Sequence, residues 1–326
     1  MANQTYVAEF HFLGLSRSLK IRLLLLGLFS IVYAVTLVGN TIILMLIWLD
    51  ARLHTPMYFF LTHLACVDIC YTSSTIPQML TNLQSPGQAI SVAGCAIQMY
   101  IFLALATAEC FLLAVMAYDR YVAICHPLHY TVLMNKKICI FMAMACWTSG
   151  LVLPVVHTVL TWQLPFCGPN LIDHYFCEMP ALLKLAYADT RVIEKITSAG
   201  CIFTLLIPIT FITMTYIRIL VAILKTQSAK GLHKAFSTCG SHMTVVVLFY
   251  GSAIFMYMRP ESSHSPGQDK MISLFYSIVI PLCNPIIYSL KNKDIKRAFR
   301  RLECRVLLSR LTDNPSFSLV QIVSNY

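Results

Sequence analysis

The chain has 326 residues, of which 58% are hydrophobic and only 12% charged, and its mean hydropathy is +0.70. A soluble domain carries about 25% charged residues, so a water-soluble globular protein is excluded. The net charge of +10 does not point to nucleic acid, because most basic residues flank apolar stretches, where they meet the anionic inner leaflet and set orientation.

Residues 1–22 precede the first apolar stretch. They contain Glu9, Arg17, Lys20 and Arg22 and no apolar core separate from that stretch, so they do not read as a cleavable signal peptide. Asn3-Gln4-Thr5 is a glycosylation sequon. Seven apolar stretches follow, near 23–49, 57–80, 96–118, 138–160, 196–224, 235–258 and 271–290. A helix crosses the hydrocarbon core with about 20 apolar residues, and only helices or closed barrels satisfy their backbone there. These stretches are too long for barrel strands. Alternating the loops places most of the 24 lysines and arginines on one side, among them Arg52, Lys136, Lys137, Lys225 and the cluster 291–301. That side is expected to be cytoplasmic, with the N-terminus extracellular.

In the first stretch Gly39 allows close helix approach and Asn40 offers an amide to a neighbour. The second carries Asp68, and the third carries Glu109, at depths where a charge costs at least a few kcal/mol. Two readings stay open: the pair holds a small cation with water and donors such as Asn40, Asn284 or Ser289, or both acids are protonated packing partners. His63, Cys66 and Cys70 share a helical face at metal-ligand spacing and are read as helix packing. Phe102, Leu103, Ala106 and Thr107 share a face of the third stretch above Glu109 and would line an apolar cavity. At its inner end comes Asp119-Arg120-Tyr121. An isolated arginine would simply snorkel, whereas an adjacent aspartate can hold the guanidinium until helix movement frees it for a cytoplasmic protein. Trp147 reads as an anchor of the fourth stretch, and Pro208 and Pro285 as kinks in the fifth and seventh.

After the last stretch, KNKDIKRAFRRL places Ile295, Phe299 and Leu302 on one helical face and Lys296, Arg297, Arg300 and Arg301 on the other, an amphipathic helix for the membrane surface. Cys304 is either a palmitoylation site or a free thiol. The expected organisation is an extracellular segment 1–22, a seven-span unit 23–302 that includes the amphipathic helix, and a cytoplasmic tail 303–326. No phosphate-binding glycine loop, HExxH helix or nucleophile elbow is present, so no residues carry an enzyme reading.

MAYDRYVAICHPLHY (116–130), LHTPMYFFLTHLACVD (53–68), KAFSTCGSH (234–242) and PLCNPIIYSLKN (281–292) resemble the signatures of the odorant receptors within the rhodopsin-like G-protein-coupled receptors. EFHFLGLS (9–16) and FCGPNLIDHYFCEMPALLKL (166–185) fit as well, and the likeness runs from about Glu9 to Leu302. It implies an all-α seven-transmembrane bundle in the plasma membrane of olfactory cilia. The implied receptor binds a small volatile odorant and couples to a heterotrimeric stimulatory olfactory G protein that raises cyclic AMP, with membrane lipids but no nucleic acid as further partners.

Residue by residue, the resemblance has Arg120 face the G protein under the control of Asp119 and Tyr121, and makes Tyr216 and Tyr288 the inward-swinging tyrosines of activation. Asp68 and Glu109 become sodium-site carboxylates, with no other cofactor implied. Gly200, Cys201 and Thr204 of the fifth span, and Tyr250, Ala253, Ile254 and Tyr257 of the sixth, would complete the ligand cavity. Phe102 stands where amine receptors carry an acid, and the seventh span lacks the opsin lysine, so a small neutral ligand is expected.

The family pattern pairs Cys95 with Cys177. Its second bridge would join Cys167 to position 187, which is Tyr187 here, so Cys167 is expected to be unpaired, with a Cys95–Cys167 bridge as the alternative. His174, Cys177 and Glu178 would bind copper or zinc only if Cys177 were a free thiolate. Thr215 replaces the usual Ser before Tyr216, and Cys283 the usual Leu before Asn284. The rival readings are a non-olfactory receptor of the same superfamily and, more distantly, an ion-conducting or transporting bundle suggested by Asp68 and Glu109.

Overall fold

The computed structural model describes residues 8–85, 87–166, 170–225, 229–259, 265–291 and 293–313, with the side chains of 229–238, 241, 266, 289–291, 293 and 305–313 not described. The sequon at Asn3, Cys167, the Ser289 side chain and the end of the expected tail, 314–326, lie outside the described residues. Among the described residues, seven long helices form one bundle: α1 (Leu19–Leu49), α2 (Pro56–Gln84), α3 (Val92–Cys125), α4 (Lys136–Trp162), α5 (Arg191–Lys225), α6 (Ala229–Tyr257) and α7 (266–291). A further helix, α8 (Lys293–Asp313), follows. By length and composition α1, α3, α4, α5 and residues 267–288 of α7 are apolar enough to cross a membrane, and α6 contributes the shorter apolar stretch His242–Tyr257. α2 is more polar because it buries Asp68, Thr72, Thr75 and Asn82 inside the bundle. Such groups are satisfied internally, as when the Thr72 hydroxyl donates to the Asp68 carbonyl at 2.8 Å.

α3 runs through the centre, touching α2, α4, α5 and α6, while α1 packs on α2 and α7. Small residues set the closest approaches. A Cβ at Gly150 of α4 would fall 2.7 Å from the Ala104 carbonyl oxygen and 2.8 Å from the Ala108 Cβ of α3. At Gly39 of α1 it would lie 3.2 Å from the Pro285 ring of α7. Beside it, Asn40 Nδ2 donates to the Thr36 carbonyl at 3.0 Å and across to the Pro281 carbonyl at 3.4 Å. The outward faces carry Leu24, Trp48 and Phe141, all exposed, as lipid contact requires.

Helix starts follow their caps: Ser91 Oγ accepts from the Gly94 N–H at 3.1 Å to open α3, and Asn135 Oδ1 accepts from the Ile138 N–H at 3.0 Å to open α4. α5 and α7 each contain a wide turn, Ile202–Leu206 and Phe275–Val279. Pro208 and Pro281 lack the N–H that the carbonyls of Thr204 and Ser277, four residues back, would accept, and both carbonyls lie in those turns. The irregularity of α7 thus sits upstream of Pro285, the expected kink, and belongs to Pro281. α8 is anchored to the end of α1 by Arg301, whose Nη2 lies 2.5 Å from Asp50, and by buried Ile295. The hydrogen-bonded guanidinium holds the Asp50 carboxyl below its usual range. The helix continues past Leu302 to Asp313 because the intervening residues are mostly good helix formers.

A three-stranded sheet caps the end of the bundle opposite α8. β1 (Glu9–Phe12) pairs antiparallel with β2 (Ala89–Ser91) and parallel with β3 (Leu171–Ile172). Phe10 and Phe12 alternate inward and are buried beside Cys95, Cys177 and Ile172. Strands of two to four residues are too short to show a period in sequence, which is why this cap is visible only in the fold.

Candidate functional site

Below the cap, a cavity of about 70 Å³ opens between the helices. Phe102, Leu103, Ala106 and Thr107 line it from α3, Gly200, Cys201 and Thr204 from α5, and Ala253 and Tyr257 from α6. Tyr250 and Ile254 are not among the lining residues. The Tyr250 hydroxyl instead donates to the Cys110 carbonyl of α3 at 2.7 Å, and Ile254 packs on the main core. Wall residues that sequence reasoning missed include Leu153, Pro154 and His157 of α4, Tyr71 of α2, Tyr276 of α7 and Met179 of the loop. The three α4 residues fall on one helical face, but only the docking of α4 shows that this face points inward. Phe102 stacks on Tyr71 with ring centroids 4.7 Å apart and touches Phe176 of the loop at the same separation.

The loop over the cavity is tied down on both sides. A disulfide joins Cys95 to Cys177, the Cys177 N–H donates to Gln98 Oε1 at 2.8 Å, and Gln98 Nε2 donates to the Ser74 carbonyl at 2.8 Å. On the other side, the buried Glu178 carboxyl accepts from the hydroxyls of Tyr257 at 2.8 Å and Ser273 at 2.7 Å, and from Tyr276. The hydroxyls of Tyr175 and Ser277 lie 2.9 Å apart. His174 Nε2 is 3.3 Å from Glu178 and 3.2 Å from Ser273 Oγ. Burial, with the nearby Lys270 ammonium, lowers the His174 imidazole to about 3, so it is neutral. Burial pushes the Glu178 carboxyl up, against the pull of its three hydroxyl donors. The sequence offered His174 and Glu178 only as metal ligands; the fold makes them a polar latch between the loop and α6–α7.

Asp68 and Glu109 are both buried. Asn284 Nδ2 donates to the two Asp68 oxygens at 3.0 and 3.1 Å. Glu109 Oε1, Asn284 Oδ1 and the Tyr288 hydroxyl are buried without a hydrogen-bond partner. Orphaned oxygens beside two carboxyls are the donor set that a hard cation takes, so the residues present fit a sodium ion.

At the α8 end, Arg120 Nη2 lies 2.7 Å from Asp119, and Asp119 also accepts from the Tyr130 hydroxyl at 2.8 Å. Tyr121 is turned to His126, hydroxyl to Nε2 at 3.1 Å. The Tyr216 hydroxyl lies 2.7 Å from His242 Nδ1, with the two rings stacked. Asp119 thus holds Arg120 and His242 meets Tyr216; His242, and Tyr130 as the second donor to Asp119, are the groups that sequence reasoning did not assign.

The sequence pattern of the olfactory receptor family matches residues 29–306 of this chain. The chain is 52% identical over 301 residues to olfactory receptor 2A5 of Homo sapiens, covering 92% of this chain and 97% of that protein. It is 53% identical over 299 residues to olfactory receptor 2A1/2A42 of Homo sapiens, covering 92% and 96%. To olfactory receptor 2A7 of Mus musculus it is 51% identical over 300 residues, covering 92% and 97%.

Proposed function

The chain belongs to the olfactory receptor family, and from that premise we propose that it binds a small, mostly apolar volatile odorant in the cavity between α3 and α6 and activates a stimulatory olfactory G protein that raises cyclic AMP. Family membership makes it a G-protein-coupled odorant receptor, a multi-pass protein of the plasma membrane, and not an enzyme. The observation that carries the ligand reading is the cavity itself: a compact space walled by apolar side chains and a few hydroxyls, with no Asp, Glu, Lys or Arg among its described lining residues, beneath a disulfide-tethered loop. A ligand of about ten heavy atoms exceeds the present space of about 70 Å³ and enters as the walls move outward; it is then held mainly by burial, with its affinity bounded by the efficiency ceiling of small molecules.

Activation in this reading is a shift between two arrangements of the bundle. A ligand that fits the α3–α5–α6 walls better in one arrangement favours it. Arg120 then leaves Asp119, Tyr216 leaves His242, and the freed groups meet the G protein and Tyr288. Asp68, Glu109 and Asn284 would hold sodium in the resting arrangement, where the ion supplies positive charge that offsets the buried carboxylates. The distribution of lysine and arginine supports an extracellular N-terminus and a cytoplasmic C-terminus, and the cilia of olfactory neurons are the proposed location.

An odorant panel on cells expressing the chain with olfactory chaperones tests the proposal. Odorant-dependent cyclic AMP is the expected result. A receptor that reaches the surface and signals only through another G protein overturns the coupling, and ligand-gated current without any G protein favours the ion-conducting alternative.

A further inference from the structure

We propose that His157 is the residue that reads a single oxygen function, a hydroxyl or a carbonyl, on an otherwise hydrocarbon ligand, with Gly200 making room for it. The inference rests on the cavity being the odorant site and names the class of ligand that site takes.

Most polar groups in the cavity wall are already engaged. The Thr204 hydroxyl donates to the Gly200 carbonyl at 2.9 Å, Thr197 Oγ1 points to the Met179 sulfur at 3.7 Å, and the hydroxyls of Tyr257 and Tyr276 donate to Glu178. His157 differs. Its Nδ1 is buried without a hydrogen-bond partner, and among the described residues its Nε2 has none either. An unpaired polar atom is costly; Nδ1 is closed off, so Nε2, which faces the lining residue Gly200, is the nitrogen that a polar group of a ligand would meet.

The imidazole reaches this position through the absence of a side chain on the facing helix. A Cβ at Gly200 of α5 would lie 2.6 Å from His157 Nε2 and 2.7 Å from Cε1. Any larger residue at 200 therefore pushes the ring aside, and Gly200 and His157 act as a pair across α4 and α5. An imidazolium at this depth would be an uncompensated charge, so the ring is neutral, with one nitrogen donating and the other accepting. It can accept from a hydroxyl or donate to a carbonyl. An ammonium or a carboxylate would find no counter-charge among the described lining residues, which excludes amines and acids. A pure hydrocarbon would leave the ring unpaired.

The test uses two matched ligand frames, hexyl and phenylethyl, each as hydrocarbon, alcohol, aldehyde, amine and carboxylic acid. Binding is read as the concentration-dependent rise in melting temperature of the detergent-purified full chain, which does not depend on signalling, with cyclic AMP recorded in parallel. In at least one frame the alcohol or aldehyde should bind about tenfold more tightly than the hydrocarbon, the value of one hydrogen bond made to an otherwise unpaired group. His157→Phe should erase that preference, so that alcohol and aldehyde bind no more tightly than the hydrocarbon of the same frame, His157→Gln should restore part of it, and Gly200→Ala should weaken it by displacing the ring. Equal binding of alcohol, aldehyde and hydrocarbon in both frames, or a preference that survives His157→Phe, overturns the inference even where some odorant raises cyclic AMP. Oxygen-selective stabilisation that depends on His157 without cyclic AMP sustains the inference and sinks the proposed coupling.

Discussion

The guanidinium of Arg120 is held by Asp119, which also takes the Tyr130 hydroxyl, so the arginine becomes available to a partner only when this arrangement opens. Arg120→Ala should abolish odorant-evoked cyclic AMP while surface expression stays largely intact, because the residue is assigned to the partner face and not to the core. Normal signalling by a surface-expressed variant would remove that role. The latch residue His174 carries a second expectation. Its pKa is lowered from 6.5 to about 3 by burial, so between these values the unfolded chain binds the proton more readily. Its contribution to stability is complete above pH 6.5 and is lost as pH falls toward 3, by up to about 1.4 kcal/mol per pH unit. Glu178, raised above 4.5, acts in the opposite sense: it favours folding at low pH, and that contribution is lost as pH rises. Comparing melting temperatures of wild type and His174→Asn between pH 6.5 and 4.5 isolates the histidine, since Glu178, Lys270, Asp269 and Asp173 are common to both. Wild type should lose stability relative to the variant on acidification, and parallel curves would contradict the assignment.

Helices meet here at distances that single atoms decide. At Gly150 an added Cβ would press on a backbone carbonyl and a fellow Cβ of α3, neither of which can rotate away, whereas at Gly39 it would meet the Pro285 ring at 3.2 Å. Gly150→Ala should therefore lower stability by about 1–3 kcal/mol and reduce surface yield, with Gly39→Ala the milder change. Melting curves of the two purified variants decide the order, and equal losses would show that α3 and α4 can separate freely. The wide turns of α5 and α7 belong to the same scale. Each is placed by a proline that leaves carbonyls without donors, so α5 and α7 have built-in positions at which their ladders can rearrange.

Across the whole bundle α3 carries one residue of each proposed part of the signalling route: Thr107 at the cavity, the buried Glu109, and Arg120 at the α8 end. If sodium occupies the carboxyl pair in the resting arrangement, it stabilises that arrangement by differential affinity alone. The double variant Asp68→Asn with Glu109→Gln should lose the sodium dependence of basal and odorant-evoked signalling, and each single variant most of it. A sodium titration of the unaltered receptor at fixed ionic strength that changes neither signalling nor melting temperature would leave the two acids as protonated packing partners.

What sequence alone determined is whatever a long local pattern encodes. Apolar stretches of spanning length imply helices in a bilayer because no other backbone is satisfied there. The extended signatures around Arg120 and Pro285 carry the family, and helical spacing puts Phe102, Leu103, Ala106 and Thr107 on one face of α3. Tertiary structure alone decided what depends on which faces meet. α4 turned His157 inward because Gly150 lets α4 close on α3 and Gly200 leaves room on α5. Tyr250, placed in the cavity by resemblance, is drawn instead to the Cys110 carbonyl. Glu178 became the acceptor of a latch because three hydroxyls from two other helices converge on it, and β1 found partners distant in the chain. Periodicity records the direction of a side chain relative to its own helix axis; rotation and depth of that helix are set by contacts between residues far apart in sequence.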